Sequence, residues 1–339
     1  MSAPTIAADA AQGAAGNRRG ESCCSLSGQS KVGVRPAATD RGSMTWIPGG
    51  NFLMGSNSFY REERPVRPAS VESFWIDTYP VSNAEFRKFV EATGYVTYSE
   101  RPPNPAMYPD ADPELLVPGS LVFKKPVSPV NLRNNLAWWE YKPGADWRHP
   151  QGPESSIDGR DDHPVVHVAY EDALAYAVWA GKDLPTEAEW EFAARGGLEG
   201  KAYPWGDASN PDGRFMANTW QGHFPYENSA DDGYEGTSPV DAFPANGYGL
   251  FDMVGNVWEW TSSAYADQHG AAPIQPQQSC CHASAGDDRS VRRVVKGGSH
   301  LCAPNYCLRY RPSARQGETV DSSTCHIGFR CVARQSPGS

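Results

Sequence analysis

No run of apolar residues in this 339-residue chain approaches the length of a membrane span, which takes roughly 20 residues. No block of lysine or arginine interrupts a formal net charge of −10. A surface of that sign repels nucleic-acid phosphate and anionic lipid, so neither is an expected partner. Cysteine is missing from residues 25–279, although the chain has eight in all. Disulfides therefore cannot staple most of the core. The neighbouring pairs Cys23–Cys24 and Cys280–Cys281 could bridge only with strain. The first 43 residues are small and polar, with no apolar stretch behind a basic start. They lack the pattern of a secretory signal and read as a disordered tail. The compartment this implies is the cytoplasm, where thiols stay reduced. A G-x-S-x-G elbow, a P-loop and a dinucleotide-binding fingerprint are also missing.

What is abundant is glycine (33), proline (29) and tryptophan (11). Gly and Pro break regular elements while Trp supplies contact area. The expectation is an α+β body with little regular secondary structure and long ordered loops, one domain over 44–335 and a short tail at 336–339. "MTWIPGGNFLMGS" reads as a hairpin turning at Gly49–Gly50. "FWIDTYPVSNAEFRKFVEATGY" reads as a strand and then a helix, with Ser82 and Glu85 as capping box, Phe86, Phe89 and Val90 on one face and Gly94 as stop. Residues 97–160 show no period and read as a long loop packed by its aromatics. "HPVVHVAY" reads as a strand. Helices follow over "EDALAYAVWAG" and "LPTEAEWEFAARGG", the second capped by Thr186 and Glu189. Beyond Gly197 the chain reads as turns and short strands, interrupted by a polar stretch from about 264 to 290.

Four groups of residues invite chemistry. In "KGGSHLCAPNYCLRYR", Cys302 and Cys307 flank Pro304, which opposes a continuous helix. Four intervening residues let both sulfurs face one centre. An inert buried pair, a disulfide or two soft ligands all satisfy that spacing. A structural zinc site would want four ligands, and no second short-spaced pair completes one. Two isolated thiolates suit a soft ion of low coordination such as Cu(I). His163 and His167 lie four apart on the expected strand, well separated along it, and read as structural. The acidic turn "ENSADDGYEG" could take calcium but is no EF-hand, because Pro239 falls where the bidentate glutamate belongs. Trp258 and Trp260, in "VGNVWEW", read as core or as the lining of a peptide groove.

The ordered strings "MTWIPGGNFLMGS", "HPVVHVAYEDALAYAVWAGKDLPTEAEWEFAARGG", "PWGD", "ANTWQGHFP", "SPVDAFPANGYGLFDMVGNVWEW" and "KGGSHLC…YCLRYRPSAR…DSSTCHIGFRC" resemble the formylglycine-generating enzymes. The resemblance runs from about residue 44 to 335. It implies the C-type-lectin-like sulfatase-modifying-factor fold and a monomer. The implied activity is oxygen-dependent oxidation of a cysteine to Cα-formylglycine in an unfolded sulfatase polypeptide of pattern Cys-x-Pro-x-Arg. Cys302 and Cys307 would bind Cu(I) as a bis-thiolate, with the substrate thiol joining as third ligand. Oxygen would react at that copper, and a hydrogen would leave the substrate's β-carbon. Ser299, Trp258 and Tyr306 would line the oxygen and substrate pocket, and Gly297 and Gly298 would let an extended peptide approach the backbone closely. One Ca2+ site would use Asn218, Thr219, Asp232 and Tyr234. The other would use Asp252, Gly255, Val257 and Glu259. Backbone carbonyls would serve at Thr219, Tyr234, Gly255 and Val257.

Departures from the family pattern point to a cytosolic bacterial enzyme. Ala177, Ala194 and Pro312 occupy positions where secretory-pathway relatives have cysteine, which leaves Cys331 without a partner. His326 stands where many relatives have Asn, and Asp252 replaces an Asn at the second calcium site. In the tail, "CCSLSG" loosely echoes the substrate motif at Cys24 and Ser27. Two rival readings differ in kind. A noncatalytic binding module on the same fold would leave Cys302 and Cys307 dispensable. An iron-dependent sulfoxide synthase would need a histidine triad that this chain lacks.

Overall fold

Capping chemistry fixes the helices. In the computed structural model, which describes residues 43–110, 112–269 and 291–334, Ser82 and Glu85 form a reciprocal capping box at the start of α1 (Asn83–Thr93), and Gly94 closes it in the left-handed region at φ 66°. Phe86, Phe89 and Val90 turn their shared face inward. Helix α2 (Tyr170–Trp179) begins with Asp172 accepting from Ala169 N at 2.8 Å. Helix α3 (Glu187–Arg195) repeats the capping box at Thr186 and Glu189 and ends on Gly196 at φ 58°. The expected tail, its Cys24 motif, and Cys280–Cys281 lie outside the described residues.

The strands are short. They are β1 (Met44–Ile47), β2 (Gly50–Met54), β3 (Arg67–Val71), β4 (Phe74–Asp77), β5 (Gly119–Phe123), β6 (Trp139–Pro143), β7 (Trp258–Ala264), β8 (Arg292–Lys296), β9 (Arg315–Thr319), β10 (Ile327–Gly328) and β11 (Val332–Arg334). They form a three-stranded sheet β1-β4-β11, a four-stranded sheet β10-β7-β8-β9, and the pairs β2-β3 and β5-β6. Within the four-stranded sheet β10 runs parallel to β7, and the other pairings are antiparallel.

Three expectations about elements change. Strands β1 and β2 do not form a hairpin: β1 pairs with β4 and β2 with β3. Gly49 passes so close to the return segment that a Cβ there would lie 2.5 Å from Val71 O, so the glycine serves a crossing and not a tight turn. The stretch 163–169 is not a strand, because His167 at φ 60° breaks the extended path and only an isolated bridge, Ser82 to Pro164, remains. Inside the long loop of 97–160, β5 and β6 pair antiparallel from Gly119–Pro143 to Phe123–Trp139.

The largest core cluster gathers α1, α2 and the front of β7, and contains Trp258, Trp260, Cys302 and Cys307. A second lies between α3 and β1–β4. A third, of Trp138, Trp220, Phe224, Leu301, Ala303 and Cys325, packs β5–β6 against the cysteine-bearing segment. Among the described residues no helix is long and apolar enough to cross a membrane.

Candidate active site

Strand β8 delivers the chain to Gly297 and Gly298, at φ 96° and 73°, a region open to glycine without strain. A Cβ on Gly298 would lie 2.8 Å from Arg309 O and Tyr310 N, and one on Gly297 would lie 3.1 Å from Trp190 Cζ2. The Cβ side of Gly298 is thus filled by the returning 309–310 backbone, and that of Gly297 by Trp190 of α3 and Met253 O. From there the backbone makes two turns in succession. Cys302 N donates to Ser299 O at 2.8 Å, and Cys307 N donates to Ala303 O at 2.9 Å. Pro304, lacking an N–H, sits at the second position of the 303–307 turn. The two turns together bring Cys302 Sγ and Cys307 Sγ to 3.2 Å, well outside the roughly 2.05 Å of a disulfide. Ser299 N donates to Cys302 Sγ at 3.4 Å.

Both thiols are nearly sealed from solvent, Cys307 at 9% exposure and Cys302 at 2%. A hydrogen bond from Cys302 and the nearby Arg309 guanidinium lower the Cys307 pKa to about 7, whereas burial and the neighbouring sulfur push that of Cys302 well up. The thiolate is thus favoured at Cys307, beside Arg309, and the proton at Cys302. The remaining described thiols behave differently. Burial raises Cys325 to about 12, and it raises Cys331 as well. All four described cysteines are free, and among the described residues only Cys302 and Cys307 bring two sulfurs into contact.

Aromatic rings frame the pair. Tyr306, 38% exposed, stacks on Phe224 with ring centroids 4.7 Å apart and planes at 6°, and meets Trp138 edge-on. Trp258, at the first position of β7, is buried with both cysteines in the main core. Trp260 is fully buried and donates Nε1–H to Val168 O at 3.0 Å. On the opposite wall lies a segment that sequence reasoning passed over. Tyr60 Oη accepts from Leu308 N at 2.9 Å, Glu62 pairs with Arg309 at 2.6 Å, and Glu63 pairs with Arg311. Tyr60 and Leu308 lie 248 residues apart. The sole signal was the density of acid and aromatic in "FYREE" facing "RYR", two runs that nothing local links.

The donor set suits a soft ion of low coordination. Among the described residues no group of three or more His, Cys, Asp or Glu could hold a metal, which leaves the two adjacent sulfurs. His163 and His167 are not brought together. His163 Nδ1 meets Thr237 Oγ1 at 3.0 Å, while His167 is spent on Ser120 Oγ at 2.7 Å and Pro150 O at 2.9 Å. Burial lowers the His167 pKa to about 4, so it is a neutral structural group.

The two residue sets singled out for calcium adjoin each other. Asp232 accepts from Thr219 N and Tyr234 N, each at 3.1 Å, and Asn218 O accepts from Asn256 N at 2.9 Å. Asn256 Nδ2 then donates to Asp252 Oδ2 at 2.7 Å. Asn218 Oδ1 and Asp252 Oδ1 are both buried without a hydrogen-bond partner. Burial raises the Asp252 pKa to about 7. Gly255 and Val257 lie on the intervening turn, with a Gly255 Cβ position 2.5 Å from Asn218 O. Glu259 is committed elsewhere. Its carboxylate takes Trp190 Nε1–H at 2.7 Å and two Arg330 donors at 2.7 and 2.8 Å, so a cation there would have to share it.

Comparison with known proteins gives a consistent outcome. The sulfatase-modifying factor enzyme 1-like domain matches residues 30–335. A formylglycine-generating enzyme of Mycobacterium tuberculosis is 53% identical over 290 residues, covering 85% of this chain and 96% of that one. Another, from Thermomonospora curvata, is 47% identical over 304 residues, covering 86% and 93%. A mouse protein named inactive C-alpha-formylglycine-generating enzyme 2 is 41% identical over 301 residues, covering 86% and 85%. Among solved structures, PvdO from Pseudomonas aeruginosa superposes with a TM-score of 0.57 at 24% identity, covering 86% of this chain and 94% of that one. That likeness concerns the fold, which is the α+β, C-type-lectin-like arrangement expected from the sequence.

Proposed function

The chain belongs to the formylglycine-generating enzyme family, and from that premise we propose that Cys302 and Cys307 are the two protein ligands of a Cu(I) ion. The activity is oxidation of a cysteine in a sulfatase polypeptide to formylglycine, by an oxidase acting on a protein cysteine. The reading adds molecular oxygen as acceptor and an unfolded segment of pattern Cys-x-Pro-x-Arg as substrate. It also adds a monomeric enzyme in a bacterial cytoplasm. Bound copper would supply one-electron chemistry with oxygen, which no side chain here can.

The protein's own residues bind and orient. Ser299 N, donating to Cys302 Sγ at 3.4 Å, holds that sulfur toward its partner. Trp258 walls the buried side and excludes water, which strengthens any charge contact inside. Tyr306 leaves part of its ring on the open side of the pair, where an incoming thiol peptide would pass. The observation that carries the reading is two buried sulfurs 3.2 Å apart, with no third ligand among the described residues. Ca2+ at the sets Asn218, Thr219, Asp232, Tyr234 and Asp252, Gly255, Val257, Glu259 is proposed on the two unpartnered carbonyl and carboxyl oxygens, since a buried anion calls for a paired charge or a metal.

The test is mass spectrometry on a synthetic Cys-x-Pro-Ser-Arg peptide incubated with enzyme, Cu(I), oxygen and a thiol reductant. Wild type should yield the aldehyde, while Cys302→Ser and Cys307→Ser should lose it by at least about a hundredfold, the scale set when a group essential to catalysis goes. An aldehyde from either variant at the wild-type rate would remove the ligand assignment. No aldehyde from copper-loaded wild type would instead favour a binding module.

A further inference from the structure

We propose that Arg309 is a positioning residue for the cysteine pair. Its guanidinium, fixed by Glu62 and the Tyr60 ring, holds Cys307 Sγ in place and offsets the negative charge that two thiolates keep around a monovalent cation. The inference rests on the copper reading above.

Three partners immobilise the guanidinium at once. Nε and Nη2 donate to Glu62 Oε1 at 3.2 and 2.6 Å, and Nη1 donates to Cys307 Sγ at 3.7 Å. The plane of the group lies over Tyr60, with Cζ 3.9 Å from the ring centroid. Tyr60 is itself tied to the cysteine segment, accepting from Leu308 N at 2.9 Å. Arg309 and Glu62 are 22% and 18% exposed in their side chains, so solvent screens the contact only in part.

Charge then decides what the arrangement favours. Two thiolates around Cu(I) carry a net charge of −1, and a substrate thiolate adding to them would make it −2. A fixed cation against one sulfur stabilises both states, the second more than the first. Arginine suits this task because its planar fork can face carboxylate, sulfur and ring together, which a lysine cannot. A purely structural role is the competing account, in which Arg309 only clamps residues 59–63 against 307–311.

The measurement is Cu(I) affinity of the full chain, reduced and anaerobic, by competition with a chromophoric Cu(I) chelator. The proteins are wild type, Arg309→Gln, Arg309→Lys and Tyr60→Leu. Each is followed by KM and kcat on the thiol peptide and by an apo-protein melting curve. Arg309→Gln should weaken Cu(I) binding by about tenfold, the worth of one partly buried charge contact, and should raise KM more than it lowers kcat. Arg309→Lys, keeping the charge, should fall between it and wild type. Tyr60→Leu, which removes the ring beneath the guanidinium, should weaken binding in the same direction, and high salt should shrink all the differences. Affinities within twofold of wild type, whatever the melting curves do, would overturn the inference while leaving the copper reading intact. Should Arg309→Gln fail to fold, the lysine and Tyr60 variants decide by the same criterion. A reduced wild type that binds no Cu(I) would sink both.

Discussion

Asp172 receives three donors, from Ala169 N, Tyr98 N and Tyr95 Oη, yet burial still lifts its pKa to about 6. In the unfolded chain the value falls to about 3.9. The folded state therefore holds this proton more tightly. The stability it contributes is present in full below about pH 4 and is lost as pH rises through 6, by about 2–3 kcal/mol. Glu187 and Glu191 are shifted downward by their cationic partners despite burial, and they pull the whole-protein curve the other way. The difference between wild type and Asp172→Asn isolates the one residue. Urea midpoints at about pH 4.5 and pH 7 should show the wild-type advantage shrinking with pH, and a constant gap would refute the assignment. At this scale the sequence was only partly readable. Cys302 and Cys307 stand out as a spaced pair, although spacing alone leaves an inert pair or a disulfide open. Tyr60, Glu62 and Arg309 do not stand out, because their meaning comes from contacts between segments 247 and 248 residues apart in sequence.

Helices were the legible elements and strand partners were not. A capping box and a terminal glycine are local chemistry, so both limits of α1 and α3 follow from a handful of neighbouring residues. Strand pairing is a choice among distant edges, and β1 takes β4 though β2 is nearer in sequence. His167 shows the same limit in reverse. Its left-handed backbone is imposed by ring contacts to Ser120 and Pro150, which no pattern of apolar residues reveals. Two substitutions test elements directly. Thr186→Ala removes the side chain that accepts from Glu189 N and should cost about 1 kcal/mol, read from a shift in urea midpoint. Gly298→Ala should do more, since it places a methyl 2.8 Å from backbone at Arg309 and Tyr310 at an unfavourable φ. We expect it to lower melting temperature and weaken Cu(I) binding together, because the same backbone carries the cysteine turn. A loss of stability with copper affinity unchanged would show that the glycine does not position the thiols.

Across the whole molecule, buried ion pairs tie distant parts of the chain together. Glu63 holds Arg311, Glu187 holds Arg315, Glu191 holds Lys296 and Arg195, and Glu259 holds Arg330. Removing one partner strands a charge in the interior, so Arg330→Met should cost about 3–5 kcal/mol in chemical denaturation. A loss under 1 kcal/mol would mean that water or another cation reaches Glu259. Calcium removal tests the second set of ligands at the same scale. Chelation should lower the wild-type melting temperature, and Asn218→Ala with Asp252→Ala should abolish the response to added Ca2+. Composition made the general character legible, a loop-rich body held by aromatics. It could not foretell this ionic network, because acids and bases scattered along a sequence look like ordinary surface until folding buries them.

All four described cysteines are free, and the described body is closed by salt links, glycine turns and stacked rings. Strong reductant therefore finds no cross-link to cut there. A chain of this kind can be purified and stored in a thiol-rich medium. Heat and salt, and not electrons, set the limits of its handling.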